Sequence, residues 1–509
     1  RAERAIAAFR GWELDKSRRP LRLTNLLVDA PPGSGRFVTA VTGRSDRVVL
    51  HREIDVSPRT NWLIARAIGR SVVRQLREAG QVLEDPEVSE YVQTLGSRLA
   101  MHAHEGDHRF TFFVVNDNGI NAFALPGGYI GVNAGLIEAT QTESELAGVL
   151  AHEIAHVTQK HIARRADAMG RTSILTAAAV AAAIIMGASG AGGDAVQAAA
   201  MGAQGFQAQQ QINYTRVNEY EADRVGMQIL YAAGFDPYGM PSFFETMNRL
   251  NGSMANRVPE FLLTHPLTST RVAEARSRAE KLPPMDQVDS INYPLMRARL
   301  RILTARSPAE GAEHFQGMID RNVDAEEPYV RYGLGLGLMQ SGKAASAERI
   351  FFDLRDHNEG VVAYHSALGQ AQLIAGQPAE GLITFEQAQA LFPRNRPLTV
   401  RHAEALIRVG RFEDAHMLLL DLFNNVPPTP PEVKLIATAA DSAGQRAEAL
   451  YYMAEYHLLV GQLPQAVDKL RLALGQPDIQ DVQRARFQAR LDELMPYLAD
   501  AKKAQRGGR

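Results

Sequence analysis

Two histidines and a glutamate lie within five consecutive residues, in the order that a hydrolytic metal site requires. His152, Glu153 and His156 form the pattern H-E-x-x-H. On a helix, residues four positions apart share one face and lie about 6 Å apart, so both imidazoles can bind one metal ion. Glu153 can then reach a water molecule at that ion and act as a base. The pattern also occurs by chance in long chains, so its meaning depends on the surrounding sequence.

A third ligand has to come from elsewhere, since a catalytic zinc site uses three protein ligands and keeps one position open. The acidic segment 216–226 offers Glu219, which follows His156 by 63 positions, and Asp223 one helical turn later. Asp223 can accept the free ring N–H of a ligand histidine and so fix its tautomer. The alternative is that these residues are ordinary charges on a solvated helix face.

The elements that would position these residues can be predicted from local patterns. Thr142 followed by Glu145 is typical of a capping box, and apolar residues then recur at helical spacing through the first motif. Aromatic and β-branched residues predict a strand at 110–115, and shorter strands are expected at 120–125 and 129–132. The sequence therefore predicts a small antiparallel sheet next to helices that carry the ligands.

Four motifs, in order, resemble the gluzincin metallopeptidases of the HtpX and CAAX-prenyl-protease family, and the resemblance covers roughly residues 60–285. The motifs are Asn121-Ala-Phe-Ala-Leu-Pro-Gly-Gly128, His152-Glu-x-x-His156, Glu219-x-x-Ala-Asp223 and Thr264-His-Pro-Leu267. The resemblance implies that His152, His156 and Glu219 bind one Zn²⁺ per chain. It also implies that an extended peptide substrate pairs with the backbone at Asn121 and Ala122.

Four residues are candidates for supporting roles around the site. His265 either stabilises the oxyanion of the tetrahedral intermediate or caps the open position of the metal in a resting state. Asp223 is expected to hold a ligand histidine in register. Arg216 and Arg271 can orient nearby carboxylates, although an ordinary salt bridge is the favoured interpretation for each.

Composition restricts the class of protein. The chain has 509 residues, which is too long for one ordinary core. Lysine and arginine number 55 and aspartate and glutamate 57, a net charge of −2 that argues against a dedicated nucleic-acid binder. Cysteine is absent, so thiolate zinc sites and disulfides are excluded and histidine and carboxylate remain as ligands.

The stretch between the two ligand segments contains an apolar run at 174–186 that is only 13 residues long. A spanning helix needs about 20 apolar residues, so we predict no transmembrane span and interpret 168–212 as a helical hairpin insert. The insert packs on the body of its domain, covers the active-site cleft, or makes a peripheral contact with a membrane or a partner.

The C-terminal part repeats with a fixed period. Gly342, Gly376, Gly410 and Gly444 are each 34 positions apart, which is the tetratricopeptide period. We therefore predict a mainly α chain: an N-terminal extension at 1–55, an α+β zincin-like metallopeptidase domain at 56–290, and a tetratricopeptide α-solenoid at 295–500. The extension is expected to be an arm without regular structure.

These observations predict a zinc-dependent endopeptidase that cleaves unfolded or misassembled polypeptides. The resemblance to the soluble periplasmic branch of the family implies a role in outer-membrane protein quality control. In that role the repeats would recruit clients or the assembly machinery. We expect a bacterial periplasmic location, with a signal segment that has been removed or lies outside the given sequence. The alternative is a tetratricopeptide chaperone or adaptor with a latent metal site.

Overall fold

A computed structural model describes residues 36–42, 48–55, 58–103, 109–162, 164, 205–253, 259–285 and 290–507. These residues are mainly helical and group into two compact units. The first unit comprises residues 1–83 and 92–289, and the second comprises residues 84–91 and 290–509. Within the described part of the chain, no helix combines the length and hydropathy of a membrane span. Residues 165–204, which include most of the predicted insert at 168–212, lie outside the described residues.

The described elements before residue 290 include two small sheets, one of two strands and one of three. In chain order they are β1 (Arg36–Thr42), β2 (Val48–Asp55), α1 (Pro58–Glu78), α2 (Pro86–Ala100), β3 (Thr111–Val115), β4 (Ala122–Leu125), β5 (Tyr129–Asn133), α3 (Ala134–Ala139), α4 (Glu143–Thr158), α5 (Gly205–Ala232), α6 (Gly239–Ser253), α7 (Glu260–Thr264) and α8 (Ser269–Ala279).

Strands β1 and β2 form an antiparallel hairpin with a register shift between Val38 and Ala40. The expectation of an arm without regular structure therefore needs correction within 36–55. The two strands alternate apolar and polar residues too irregularly to be recognised by a period of two, which is why the local pattern did not predict them.

The three-stranded sheet has the order β3-β5-β4 and is mixed, not purely antiparallel as predicted. Strand β5 pairs with β3 in parallel and with β4 antiparallel. The turn at Gly127 and Gly128 reverses the chain, with φ of 80° at both residues, a conformation that favours glycine. Because β5 lies between its partners, β4 is an edge strand.

One face of the sheet packs on helix α1. Val72, Val73 and Leu76 form a core with Phe113 and Val115, and Leu125 and Tyr129 complete it. Helix α4 contacts strand β4 and also packs against helices α5 and α6. The helix of the H-E-x-x-H motif thus lies between the edge strand and the helix of the second acidic motif.

From residue 290 onwards the described chain is a series of helices. They are α9 (Asn292–Leu303), α10 (Pro308–Asp320), α11 (Pro328–Gln340), α12 (Ala344–His357), α13 (Val362–Ile374), α14 (Pro378–Leu391), α15 (Arg396–Arg408), α16 (Phe412–Asn425), α17 (Pro430–Ser442), α18 (Arg446–Leu459), α19 (Leu463–Leu474) and α20 (Asp481–Gly507).

The predicted 34-residue period corresponds to helix pairs. Gly342, Gly376, Gly410 and Gly444 each lie in the turn between the two helices of a pair, with φ between 78° and 85°. Residues five positions later are small and buried, as the close packing of paired helices requires. Each pair packs on the next, which gives the predicted α-solenoid.

Candidate metal centre and active site

Helix α4 positions the first three site residues. Its N-cap Thr142 accepts a hydrogen bond from the backbone N–H of Glu145, and the Glu145 carboxylate accepts one from the backbone of Gln141. This is the predicted capping interaction, with the returning bond shifted by one residue. The helix places Nε2 of His152 and Nε2 of His156 only 3.0 Å apart.

Helix α5 brings the acidic segment to the same point. One carboxylate oxygen of Glu219 lies 3.4 Å from Nε2 of His152, and the other lies 3.5 Å from Nε2 of His156. Asp223, one turn later, approaches Nδ1 of His152 at 3.0 Å. The solvated-face alternative does not fit, because Glu219 and Asp223 are both buried.

His265 approaches the cluster from the C-terminal end of helix α7. Its Nδ1 lies 3.3 Å from Nε2 of His152 and 3.1 Å from Glu219, and its Nε2 lies 3.4 Å from Glu153. The ring stacks on Phe261, with 4.8 Å between ring centres. His265 is therefore held by packing in a position where one nitrogen faces the ligands and the other faces the candidate base.

The four side chains His152, His156, Glu219 and His265 fit a metal ion. Their ligand atoms all lie within 4.8 Å of one another. Ligands about 2.0–2.1 Å from a tetrahedral centre are separated by about 3.3 Å, and the separations quoted above, from 3.0 to 3.5 Å, bracket that value. Three imidazoles and a carboxylate are donors for a transition metal of the zinc type, and all except the half-buried His156 are buried from competing water.

The electrostatics favour the metal-binding forms of Glu219 and His156, whereas the ring of His152 would first have to lose a proton. Burial opposes ionisation of Glu219, but nearby His265 and His152 lower its pKa well below the usual value. Burial lowers the pKa of His156, so its ring stays neutral. Burial alone would also lower the pKa of His152, but hydrogen bonds to Asp223 and Glu219 raise it to about 10. A metal at Nε2 of His152 therefore has to replace a proton.

Glu153 has the environment of a base. It is 1% exposed, and its Oε1 makes no hydrogen bond within the described residues. Burial raises the pKa of its carboxyl, and a pKa closer to neutral suits a group that accepts and donates a proton during catalysis. The backbone of Ala124 hydrogen-bonds the same carboxylate, so strand β4 and the candidate base are in direct contact.

Asn121 and Ala122 lie at the start of the edge strand. Ala122 pairs with Val132 of β5, and the backbone carbonyl of Asn121 accepts a hydrogen bond from Asn133. The Asn121 side chain is buried, its amide donates to Glu260 at 3.5 Å, and its Oδ1 has no hydrogen-bond partner among the described residues. Asn121 is thus held at the edge of the sheet by its backbone and by Glu260.

Arg271 has a larger role than the ordinary salt bridge that the sequence favours. Its guanidinium is buried and lies 2.7 Å from Asp223 and 3.0 Å from Glu219. It therefore holds together the carboxylate of the candidate ligand Glu219 and the carboxylate of Asp223 behind His152. Its partners are 48 and 52 positions away, so no local sequence pattern could identify it. Arg216, by contrast, is exposed.

His161 and Glu221 are two further residues that the sequence did not single out. Nδ1 of His161 lies 2.9 Å from Nδ1 of His156, and its Nε2 lies 3.2 Å from Glu221. The signal that could have found His161 is its position five residues after His156, just beyond the end of the helix.

The convergent donors and the H-E-x-x-H helix define a metallopeptidase. Residues 86–279 match the model of peptidase family M48, and the chain belongs to this family as a metalloendopeptidase. It is 33% identical to the β-barrel assembly-enhancing protease of Escherichia coli K12, covering 84% of this chain and 87% of the relative. The protease of that name from Yersinia pestis is 32% identical, covering 93% and 96%.

Solved structures of repeat proteins are similar to part of this chain. A thermophilic tetratricopeptide-repeat protein of Thermus thermophilus is 17% identical with a TM-score of 0.24, covering 39% of this chain and 98% of that chain. The assignment of the solenoid rests on its own helix pairs and their 34-residue period.

Proposed function

We propose that the chain is a zinc endopeptidase in which His152, His156 and Glu219 bind the ion and Glu153 is the general base. The observation that carries this proposal is the convergence of four N and O donors, three of them buried, within 4.8 Å of one another. They lie beside the buried carboxylate of Glu153, whose Oε1 makes no hydrogen bond among the described residues. Zinc is favoured because its structural and catalytic sites use this donor set in tetrahedral geometry.

Bound zinc supplies a Lewis acid that polarises the scissile carbonyl and lowers the pKa of water. Glu153 accepts a proton from the attacking water and then donates it to the leaving amine. Asp223 accepts the Nδ1 proton of His152, which directs Nε2 towards the ligand cluster. Arg271 neutralises the charge of Asp223 and Glu219, so that two buried carboxylates can lie side by side.

The substrate is proposed to be an extended polypeptide that adds a strand to the edge of β4. An antiparallel or parallel partner there would have its backbone next to Ala124, whose own backbone contacts Glu153. Asn121 and Ala122 would hold the chain through backbone pairing. This arrangement would bring the scissile peptide close to the base.

We assign His265 the role of a fourth donor in this conformation. Its ligand nitrogen lies within 4.8 Å of the ligand atoms of the other three residues. It would therefore occupy the place at the metal that substrate and water need. His265 must then leave for catalysis, and its Nε2, which faces Glu153, becomes available to the oxyanion. The two roles that the sequence leaves open thus belong to successive states of one side chain.

The biological substrates are proposed from the names of the relatives. Both bacterial relatives are named β-barrel assembly-enhancing proteases. We propose that this chain acts in the periplasm on unfolded or misassembled outer-membrane proteins, with the repeat region recruiting these clients or their assembly machinery. A tetratricopeptide adaptor with a latent metal site is the second candidate. The exposed hydrophobic side chains of the repeat helices, such as Phe352, Ile383 and Met417, favour it.

Glu153→Gln separates the two candidates. The variant should keep one zinc per chain by elemental analysis and lose peptide cleavage by at least about 100-fold, because the amide cannot accept the proton. The chelator-treated protein should be inactive and recover with zinc. Full cleavage of an unfolded β-rich protein by the variant would rule out Glu153 as the base. An unaltered protein that binds clients but never cleaves them would favour the adaptor.

A further inference from the structure

The two ligand histidines are supported differently on the side away from the metal. Nδ1 of His152 faces the carboxylate of Asp223 directly, at 3.0 Å. Nδ1 of His156 faces a third histidine, His161, at 2.9 Å. His161 in turn lies 3.2 Å from Glu221. Both paths end on a carboxylate of helix α5, but the second path contains an imidazole as an intermediate.

The backbone after helix α4 is shaped to place His161. The helix ends at Thr158, and Lys160 adopts a φ of 56°, the left-handed conformation that turns a chain at a helix end. Arg164 then donates its backbone N–H to the carbonyl of Lys160. The turn returns His161 towards His156 and buries it, so that only 4% of the residue is exposed.

The positions of the hydrogen atoms along this path are determined by the metal. Nε2 of His156 is the atom that belongs to the ligand cluster, so Nδ1 of the same ring must carry its proton. That N–H can only donate to an unprotonated Nδ1 of His161. His161 then carries its own proton on Nε2 and donates it to the Glu221 carboxylate.

The outer end of the path is fixed by charge. Glu221 also accepts a hydrogen bond from Arg164, at 2.8 Å. The Arg164 guanidinium therefore holds the Glu221 carboxylate in place as the acceptor for the Nε2–H of His161.

We propose that His161 is a positioning residue that orients the metal ligand His156, acting as a relay between its Nδ1–H and the Glu221 carboxylate. This inference rests on the proposed metal site. His161 does not contact the metal position; it fixes the tautomer and the ring orientation of His156 and raises the basicity of its Nε2. Both ring nitrogens of His161 lie within hydrogen-bond distance of a partner, one on His156 and one on Glu221.

The test compares two substitutions at one position. His161→Phe keeps a planar ring but offers no acceptor to His156. His161→Asn places an amide oxygen close to the position of Nδ1 and can accept the same hydrogen bond. The zinc dissociation constant of the full chain is measured by competition with a chromophoric chelator. We expect His161→Phe to weaken zinc binding by about 10- to 100-fold and His161→Asn to recover most of the loss.

Two controls distinguish positioning from packing. The unfolding temperature of the zinc-free variants reports on packing. The second control is His357→Phe, which replaces an exposed histidine away from the site. Visible spectra of the cobalt-substituted proteins report the ligand geometry, and we expect them to change in His161→Phe and not in His357→Phe.

The outcomes separate the relay from the site on which it depends. Equal zinc dissociation constants for the unaltered protein and His161→Phe would overturn the relay and leave the proposed metal site intact. The same conclusion follows if His161→Asn binds zinc no better than His161→Phe. An unaltered protein that binds no stoichiometric zinc would overturn the metal site and the relay together.

Discussion

At the scale of single residues, the site is organised by charge balance. Two buried carboxylates, Glu219 and Asp223, lie on successive turns of one helix, where they would repel each other. Arg271 contacts both. Burial alone would lower the pKa of its guanidinium, but the two carboxylates outweigh this effect and raise the pKa. The guanidinium thus stabilises the carboxylates whether or not a metal is present. Removing one carboxylate should therefore affect the metal more than the fold.

Glu219→Ala tests this separation. The variant loses one of three proposed ligands, so we expect zinc to fall from one per chain to below 0.1 per chain after gel filtration, while Arg271 keeps its bond with Asp223. Elemental analysis measures the metal, and circular dichroism measures the fold. The matched control is Glu245→Ala, which removes a half-exposed glutamate paired with Arg276. Unchanged zinc content in Glu219→Ala would remove this residue from the ligand set.

At the scale of elements, the distance between two helices sets the ligand geometry. Helices α4 and α5 cross at Gly226, where a methyl group would lie 3.0 Å from the backbone nitrogen of His152 and 3.1 Å from its Cα. These neighbours are backbone atoms, so no side-chain rotation could relieve the contact. The absence of a side chain at Gly226 thus allows Glu219 of α5 to approach His152 of α4.

Gly226→Ala should move the two ligand helices apart by a few tenths of an ångström. We expect kcat/KM to fall by about 10-fold, because misplacement of about 1 Å can cost 100-fold in rate. Gly148→Ala is the matched control: it lies on α4 too, and its added methyl would meet the backbone of Met240 at 3.2 Å, away from the ligands. Peptidase assays and zinc titration compare the two. Equal losses in both variants would contradict a specific effect on ligand spacing.

The elements also show which parts of the molecule could be predicted from sequence. His152, Glu153 and His156 lie on one helix, so their spacing was sufficient to predict their geometry. Glu219 needed the family resemblance, since 63 residues separate it from His156. The parallel pairing of β3 with β5 was not predicted, because short strands carry no signal for their partners.

Arg271 and His161 show a second limit of the sequence. Neither belongs to the motifs. Arg271 contacts Asp223, and His161 contacts Glu221, across 48 and 60 positions of the chain. A charged or aromatic residue gives no local indication of whether its partner is a metal ligand or solvent. The solenoid, in contrast, could be predicted from its period of 34 residues. Each repeat has the same local turn and packs against the next repeat in the chain.

At the scale of the whole molecule, the second unit contains a buried ionic cluster built from segments far apart in sequence. Glu87 accepts hydrogen bonds from Arg299 at 3.0 Å, from Arg401 at 2.8 Å and from Ser366 at 2.8 Å. Asp85 lies 2.7 Å from Arg299. Residues 84–91 are thus tied to helices α9, α13 and α15 of the solenoid. Moving this segment would leave buried charges without partners, which costs free energy. The cluster therefore favours one position for the segment.

The cluster should make the second unit sensitive to acid. Burial alone would raise the pKa of Glu87, but Arg299 and Arg401 lower it from 4.5 to about 2. Because the pKa in the folded state is below the unfolded value, the ionised carboxylate stabilises the fold above pH 4.5. This contribution is lost as the pH falls from 4.5 towards 2, and it amounts to about 3 kcal/mol at pH 7.

Glu87→Gln should therefore lower the unfolding temperature by roughly 6–12 °C at pH 7, and the difference should shrink as the pH approaches 3. The matched control is Glu404→Gln, which removes a half-exposed partner of the same Arg401, 3.0 Å away. Because solvent screens that pair, we expect a change of less than about 1 kcal/mol. Calorimetry between pH 7 and pH 3 measures both variants. A Glu87→Gln difference that stays constant over this range would mean that the carboxylate is not ionised through its arginine partners.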